Sequence, residues 1–84
     1  MDNKVLIKLL IPELNTSYDV FIPINIRIGT AIKLINESLK ELIGGDFIDN
    51  NSRCFYNSED ASKYSINSLI RDTNIRNGSV VVFA

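Results

Sequence analysis

The 84-residue chain is long enough for one domain spanning residues 1–84, near the lower limit of what folds without staples, because so short a chain buries only about 60 to 65 % of its unfolded surface. Nine Lys and Arg stand against ten Asp and Glu, and neither sign clusters, so nucleic acid and anionic membranes are poor partners; both need a concentrated basic surface. Cys54 is the single cysteine and cannot form an internal disulfide, no leader-like segment follows Met1, and no apolar run nears the roughly 18 residues of a bilayer span, so a cytoplasmic setting without direct membrane insertion is expected.

The apolar stock leans on isoleucine, and β-branched residues favour sheet. From Val5 to Ile11 the odd positions are all apolar while the even ones read Leu6, Lys8, Leu10, which predicts a strand with its odd face on the core. Residues 12–17, with Pro12, Asn15 and Ser17, predict a turn. Tyr18, Val20 and Ile22 alternate with Asp19 and Phe21, giving a second strand and a first hairpin that ends, or lies at an edge, at Pro23.

The period then changes. Ile28, Ile32, Ile35, Leu39 and Leu42 recur at spacings of three and four with Lys33, Asn36, Glu37, Lys40 and Glu41 between them, the pattern of an amphipathic helix. Thr30 is the expected N-cap and Gly44-Gly45 the expected stop. Residues 46–52 read as a loop with two apolar anchors, Phe47 and Ile48, and Arg53–Tyr56 as a short strand with Cys54 as an inert core thiol. A turn of helix follows Ile70, and Asn77-Gly78 is expected to supply positive φ angles before the final strand, Val80 to Phe83.

Hairpin, helix, short strand and last strand together predict an α+β fold, with a mixed sheet and one helix on one face. The last strand should lie beside the first, parallel to it, in the centre of a β-grasp arrangement. The helix-side core would take Val5, Ile7, Leu9, Val20, Ile22, Ile28, Ile32, Ile35, Leu39, Val81 and Phe83. Leu6, Leu10, Phe21, Val80 and Val82, interrupted by Lys8 and Asp19, would then share the uncovered face. Apolar groups gathered on such a face mark protein contact, so the expected protein-binding residues are Leu6, Lys8, Leu10, Phe21, Val80 and Val82. The competing reading is that the long loops, especially 46–64, fold over part of this face or that it merely stabilises the sheet.

The stretch Leu69-Ile70-Arg71-Asp72-Thr73-Asn74-Ile75-Arg76-Asn77-Gly78-Ser79-Val80-Val81-Val82 is similar to the ubiquitin-like pattern of an apolar anchor, a short turn ending in Asn-Ile, then an alternating last strand. Tyr18-Asp19-Val20-Phe21-Ile22-Pro23 leading to Ile28-Gly29 and the helix resembles the YukD family, stand-alone bacterial ubiquitin-like proteins associated with type VII (Yuk/Esx) secretion. The resemblance spans essentially the whole chain. It implies a small cytoplasmic accessory or regulator that acts by contact with a protein partner, such as a membrane or ATPase component of the secretion machinery. It implies no catalysis and brings no cofactor and no catalytic residue.

Other readings compete. A sulfur carrier or conjugated modifier needs an extended tail ending in diglycine, whereas Val82-Phe83-Ala84 lies in or next to a strand and Gly44-Gly45 is internal. An enzyme would lack the usual base for a Ser or Cys nucleophile, there being no histidine, and Glu59 with Asp60 or Asp46 with Asp49 lack the ligand count of a calcium loop. A homo-oligomer or generic adaptor using the apolar face or an open edge strand remains the alternative to a different protein partner.

Overall fold

The computed structural model describes residues 3–44 and 52–84. Strands Lys4–Ile11 (β1), Thr16–Pro23 (β2), Phe55–Asn57 (β3) and Val80–Phe83 (β4) form one mixed sheet in the order β2-β1-β4-β3. Helix Ile28–Ile43 (α1) packs over one face of it. As the alternation requires, β1 and β2 pair antiparallel from Lys4 opposite Pro23 to Ile11 opposite Thr16. The connection is tighter than the expected 12–17. Pro12–Leu14 makes one 3₁₀ turn, Asn15 takes the left-handed conformation at φ 50°, and Thr16 and Ser17 already belong to the ladder. The two central strands come from opposite ends of the described chain, with Lys8, Leu9 and Leu10 running parallel to Val80, Val81 and Val82.

The core lies between the sheet and α1, and Ile7, Leu9, Ile22, Ile28, Ile32, Leu39, Val81 and Phe83 are buried there, with Val5, Val20 and Ile35 packed against them. Ile11, Phe55, Ile70 and Ile75 complete it from the hairpin end, β3 and the segment before β4. Leu42 departs from the expected helical set: it is 65 % exposed. The reverse holds for Asn36, which is buried, and among the described residues its Oδ1 finds no hydrogen-bond partner. A buried polar group without a partner costs stability, so Asn36→Leu should stabilise the fold by about 1–2 kcal/mol, read as a higher urea midpoint; a lower midpoint would mean that the amide is satisfied in solution.

The helix starts two residues before the expected Thr30 cap. Its N-cap is Arg27, which makes no side-chain cap. The reason lies 40 residues on: the N–H of Ile28 donates to the Ser68 carbonyl at 2.8 Å and that of Gly29 to the Ile66 carbonyl at 3.0 Å, so a distant backbone occupies two of the donors that a cap would serve. Gly29 suits this approach, because a Cβ there would meet the Ile66 oxygen at 3.2 Å. At the other end the helix stops at Gly44 as expected, but Gly44, at φ 83° and ψ −150°, does not take the left-handed helical conformation; Gly45 lies outside the described residues.

Two further expectations shift. β3 begins at Phe55 rather than Arg53, although Cys54 still exchanges backbone hydrogen bonds with Ala84 at 2.9 and 3.2 Å; its thiol is half-buried rather than in the core. Arg53 is instead drawn to the hairpin turn, where Glu13 Oε2 accepts from its Nε at 2.9 Å and from its Nη2. The Arg53 side chain is 3 % exposed and that of Glu13 54 %, so the pair ties the turn to the start of β3 across a half-wet boundary. Glu13→Ala should cost roughly 1–3 kcal/mol, less than breaking a fully buried pair. Urea unfolding checks this, and an unchanged midpoint would show the pair to be inconsequential. Before β4 only Gly78 has positive φ, at 87°; Asn77 serves the turn through its side chain. The loop expected over 46–52, with Phe47 and Ile48, lies outside the described residues up to position 51.

Candidate interaction surface on the open sheet face

On the face of the sheet away from α1 the ladder brings the expected residues into rows. Leu6 stands opposite Phe21, Lys8 opposite Asp19 and beside Val80, and Leu10 opposite Ser17 and beside Val82, with Tyr56 opposite Val82 on β3. All six predicted contact residues therefore lie on one face. They divide into two apolar clusters, Leu6 with Phe21 near one corner and Leu10 with Val82 and Tyr56 at the other end. Lys8, Asp19 and Val80 lie between the clusters.

Leu6 is 38 % exposed and Phe21 62 %, while Leu10, Val80 and Val82 are half-buried. The turn before β4 holds β1 in place under this surface. The Leu6 N–H donates to Asn77 Oδ1 and the Gly78 N–H to the Leu6 carbonyl, both at 2.8 Å, and the Lys8 N–H donates to the Ser79 carbonyl at 2.9 Å. Leu6 is thus presented on a backbone whose N–H and C=O are both held by the turn at Asn77 and Gly78. Cross-strand neighbours of this kind hold each other's rotamers, and here Lys8 stands opposite Asp19 in the register.

Val80 is screened on one side. It shares a polar cleft of about 180 Å³ with Asn57, Ser58, Glu59, Tyr64 and Asn74, so residues 57–64 stand along that margin of the face. Burial pushes the Tyr64 hydroxyl above its ordinary pKa, and it donates to Asn74 Oδ1 at 2.6 Å. Among the described residues no group of three His, Cys, Asp or Glu is placed to hold a metal, and no helix is long and apolar enough to cross a membrane.

Two apolar side chains outside the predicted set are exposed beside the hairpin, Leu34 and Leu42 on α1. Leu34 was readable as a surplus apolar position at the polar face of the helix. Leu42 looked like core by spacing alone.

No protein-family model matches the chain, and no curated protein matches it in sequence. Solved structures do match. The ubiquitin-like domain of the Mycobacterium tuberculosis type VII secretion protein ECCD1 superposes with a TM-score of 0.70 at 13 % identity, over 95 % of this chain and 96 % of that one. The fold is the ubiquitin-like β-grasp. This β-grasp sheet also matches a chain of the MycP5-free ESX-5 inner membrane complex, with a TM-score of 0.69 at 12 % identity, covering 98 % of the present chain but only 21 % of that longer one. A protein whose molecular mimicry of SUMO promotes DNA repair aligns at a TM-score of 0.76 and 11 % identity, over 98 % and 91 % of the two chains. At identities this low the likeness is one of fold.

Proposed function

We propose that this chain is a non-enzymatic ubiquitin-like interaction module that works by non-covalent contact, as a cytoplasmic accessory or regulator of a type VII-like protein secretion system, in the manner of the YukD family. Its partner on this reading is a membrane or ATPase component of that system. Leu6, Lys8, Leu10, Phe21, Val80 and Val82 form the contact surface.

The observation that carries the reading is the Leu6–Phe21 pair, two large apolar side chains exposed side by side on a sheet face that the helix leaves open. The type VII setting draws its support from the ECCD1 domain and the ESX-5 complex, both of which hold the same fold. The test is affinity capture on the tagged chain from native cytoplasm and membranes, with Leu6→Asp in parallel. Recovery of a secretion ATPase or membrane component by the parent chain, and its loss with Leu6→Asp, is the expected result. Capture of an adenylating enzyme through a thioester would favour a modifier instead, and equal capture by both chains would remove the sheet face as the contact.

A further inference from the structure

The turn before β4 holds a reactive dipeptide. Of the chain's asparagines, Asn77 is the one followed by glycine, and it has a particular role in the sheet. Lys8 stands beside Val80 in the parallel ladder, and its N–H donates to the carbonyl of the preceding residue, Ser79. Two positions back, the same register sets Leu6 beside Gly78, so the backbone carbonyl of Asn77 is the regular acceptor for the Leu6 N–H. The side chain takes that place instead: Asn77 Oδ1 accepts from Leu6 at 2.8 Å, and the Gly78 N–H donates back to the Leu6 carbonyl at 2.8 Å. Asn77 thus uses its amide as a substitute for main chain. Gly78, at φ 87° with open space where a Cβ would stand, makes the turn that allows it.

The two groups bonded to Leu6 are also the two that deamidation needs. When the Gly78 nitrogen gives its proton to hydroxide, it becomes able to bond to Asn77 Cγ. The Cγ–Nδ2 bond then breaks, and that nitrogen leaves as ammonia after taking a proton from water. Water opens the remaining succinimide ring at either of its carbonyls, to aspartate or to isoaspartate. Glycine at the next position has no side chain to crowd the ring closure. Two effects of the fold oppose each other here. The Leu6 N–H polarises the Asn77 amide carbonyl and favours attack, whereas the Leu6 carbonyl occupies the very N–H whose proton must first be lost. The second effect wins. One neutral hydrogen bond changes a rate by about tenfold at most, while a sheet amide gives up its proton only when the sheet opens around it, an event that slows exchange by roughly a hundredfold or more.

We propose that Asn77 is a deamidation site held silent by the two hydrogen bonds to Leu6, and that its conversion to isoaspartate releases Leu6. The side chain is exposed, so water and hydroxide reach it once the turn opens. An aspartate restores both bonds, because its carboxylate accepts from the Leu6 N–H as the amide did. Isoaspartate does not: its main chain runs through Cβ to Cγ and is one atom longer, which moves Gly78 out of register with Leu6. The gate and the release involve no partner. Only the loss of open-face capture that follows from a displaced Leu6 rests on the contact proposed above.

The experiment ages the whole chain in mildly alkaline buffer, folded in one sample and unfolded in urea in the other. Digestion at intervals, with chromatography and mass spectrometry, separates the asparagine, aspartate and isoaspartate forms at position 77, and NMR of the labelled folded chain follows hydrogen exchange at Gly78. Folded chain should deamidate at Asn77 at least about tenfold more slowly than unfolded chain, by a factor that matches the exchange protection of the Gly78 amide to within about threefold. The isoaspartate form, made under urea and refolded, should lose protection at the Leu6 and Gly78 amides and shift the Leu6 methyl signals, while the amides of α1 keep theirs. Asn77→Asp should keep the protection of both Leu6 and Gly78. Deamidation as fast in the folded chain as in the unfolded one, or a slowdown unrelated to Gly78 exchange, would overturn the gate. An isoaspartate form with Leu6 and Gly78 still protected, a loss of protection that extends through α1, or unprotected Leu6 and Gly78 in Asn77→Asp would overturn the release.

Discussion

Phe83→Ala should leave the chain mostly unfolded, or folded with only a small margin, at room temperature. Phe83 on β4 stands opposite Phe55 on β3, both fully buried, with ring centroids 5.9 Å apart and planes at 78°. Truncating a buried Phe costs about 3–5 kcal/mol, and the lost edge-to-face contact is part of that sum. A domain this small rarely holds more than the lower part of the usual 5–15 kcal/mol, so the loss takes most of what there is. The cost falls on the junction between the parallel centre and the short outer strand, where Phe55 has only three residues of β3 to hold it. Urea unfolding followed by circular dichroism measures it. Val82→Ala, one position away on the open face, is the internal comparison and should cost no more than about 1.5 kcal/mol. Equal losses from the two variants would mean that the sheet is sided differently in solution.

Phe21→Asp should do the opposite: keep the fold and lose the partner. The ring is 62 % exposed, and its backbone N–H and C=O take no part in the β1–β2 ladder, so the fold pays little beyond the poor strand propensity of Asp, of order 1 kcal/mol. Binding suffers more, because losing an exposed aromatic anchor of an interface costs roughly 2–4 kcal/mol, or 30- to 1000-fold in affinity. The added carboxylate also sits two residues from Asp19 on the same face and opposite Leu6. Matched thermal melts and a binding titration against the captured partner test both halves. Gross loss of helix and sheet signal in this variant would show that the ring belongs to the core.

Period-two and period-3.6 patterns made most of this architecture legible, because burial on one side leaves a record at every second strand position and every third or fourth helix position. Val5 to Ile11 and Tyr18 to Ile22 state their inward faces outright, and an apolar Val80 to Phe83 has nowhere to be buried but the middle of the sheet. What stayed hidden depends on contacts between residues far apart in the chain. Thr30 is a residue type that favours an N-cap, yet the helix start is set by the carbonyls of Ile66 and Ser68. Arg53 alternates into a strand on paper, yet its guanidinium is held by a glutamate 40 positions earlier. Leu42 keeps the helical spacing but falls in the last turn, beyond the reach of the sheet, and so joins Leu34 outside the core. The open-face residues could be placed by alternation, since a register shift of one would have reversed every side chain together.

The first turn of α1 carries one more implication. Since Ile28 and Gly29 lend their amides to residues 66–68, and Ile26 and Ile24 lend their carbonyls to Ile70 and Arg71, the beginning of the helix is stitched into a loop made much later in the chain. A nascent helix there gains nothing until that loop arrives, so the two segments order and melt together as one cooperative unit rather than fraying separately.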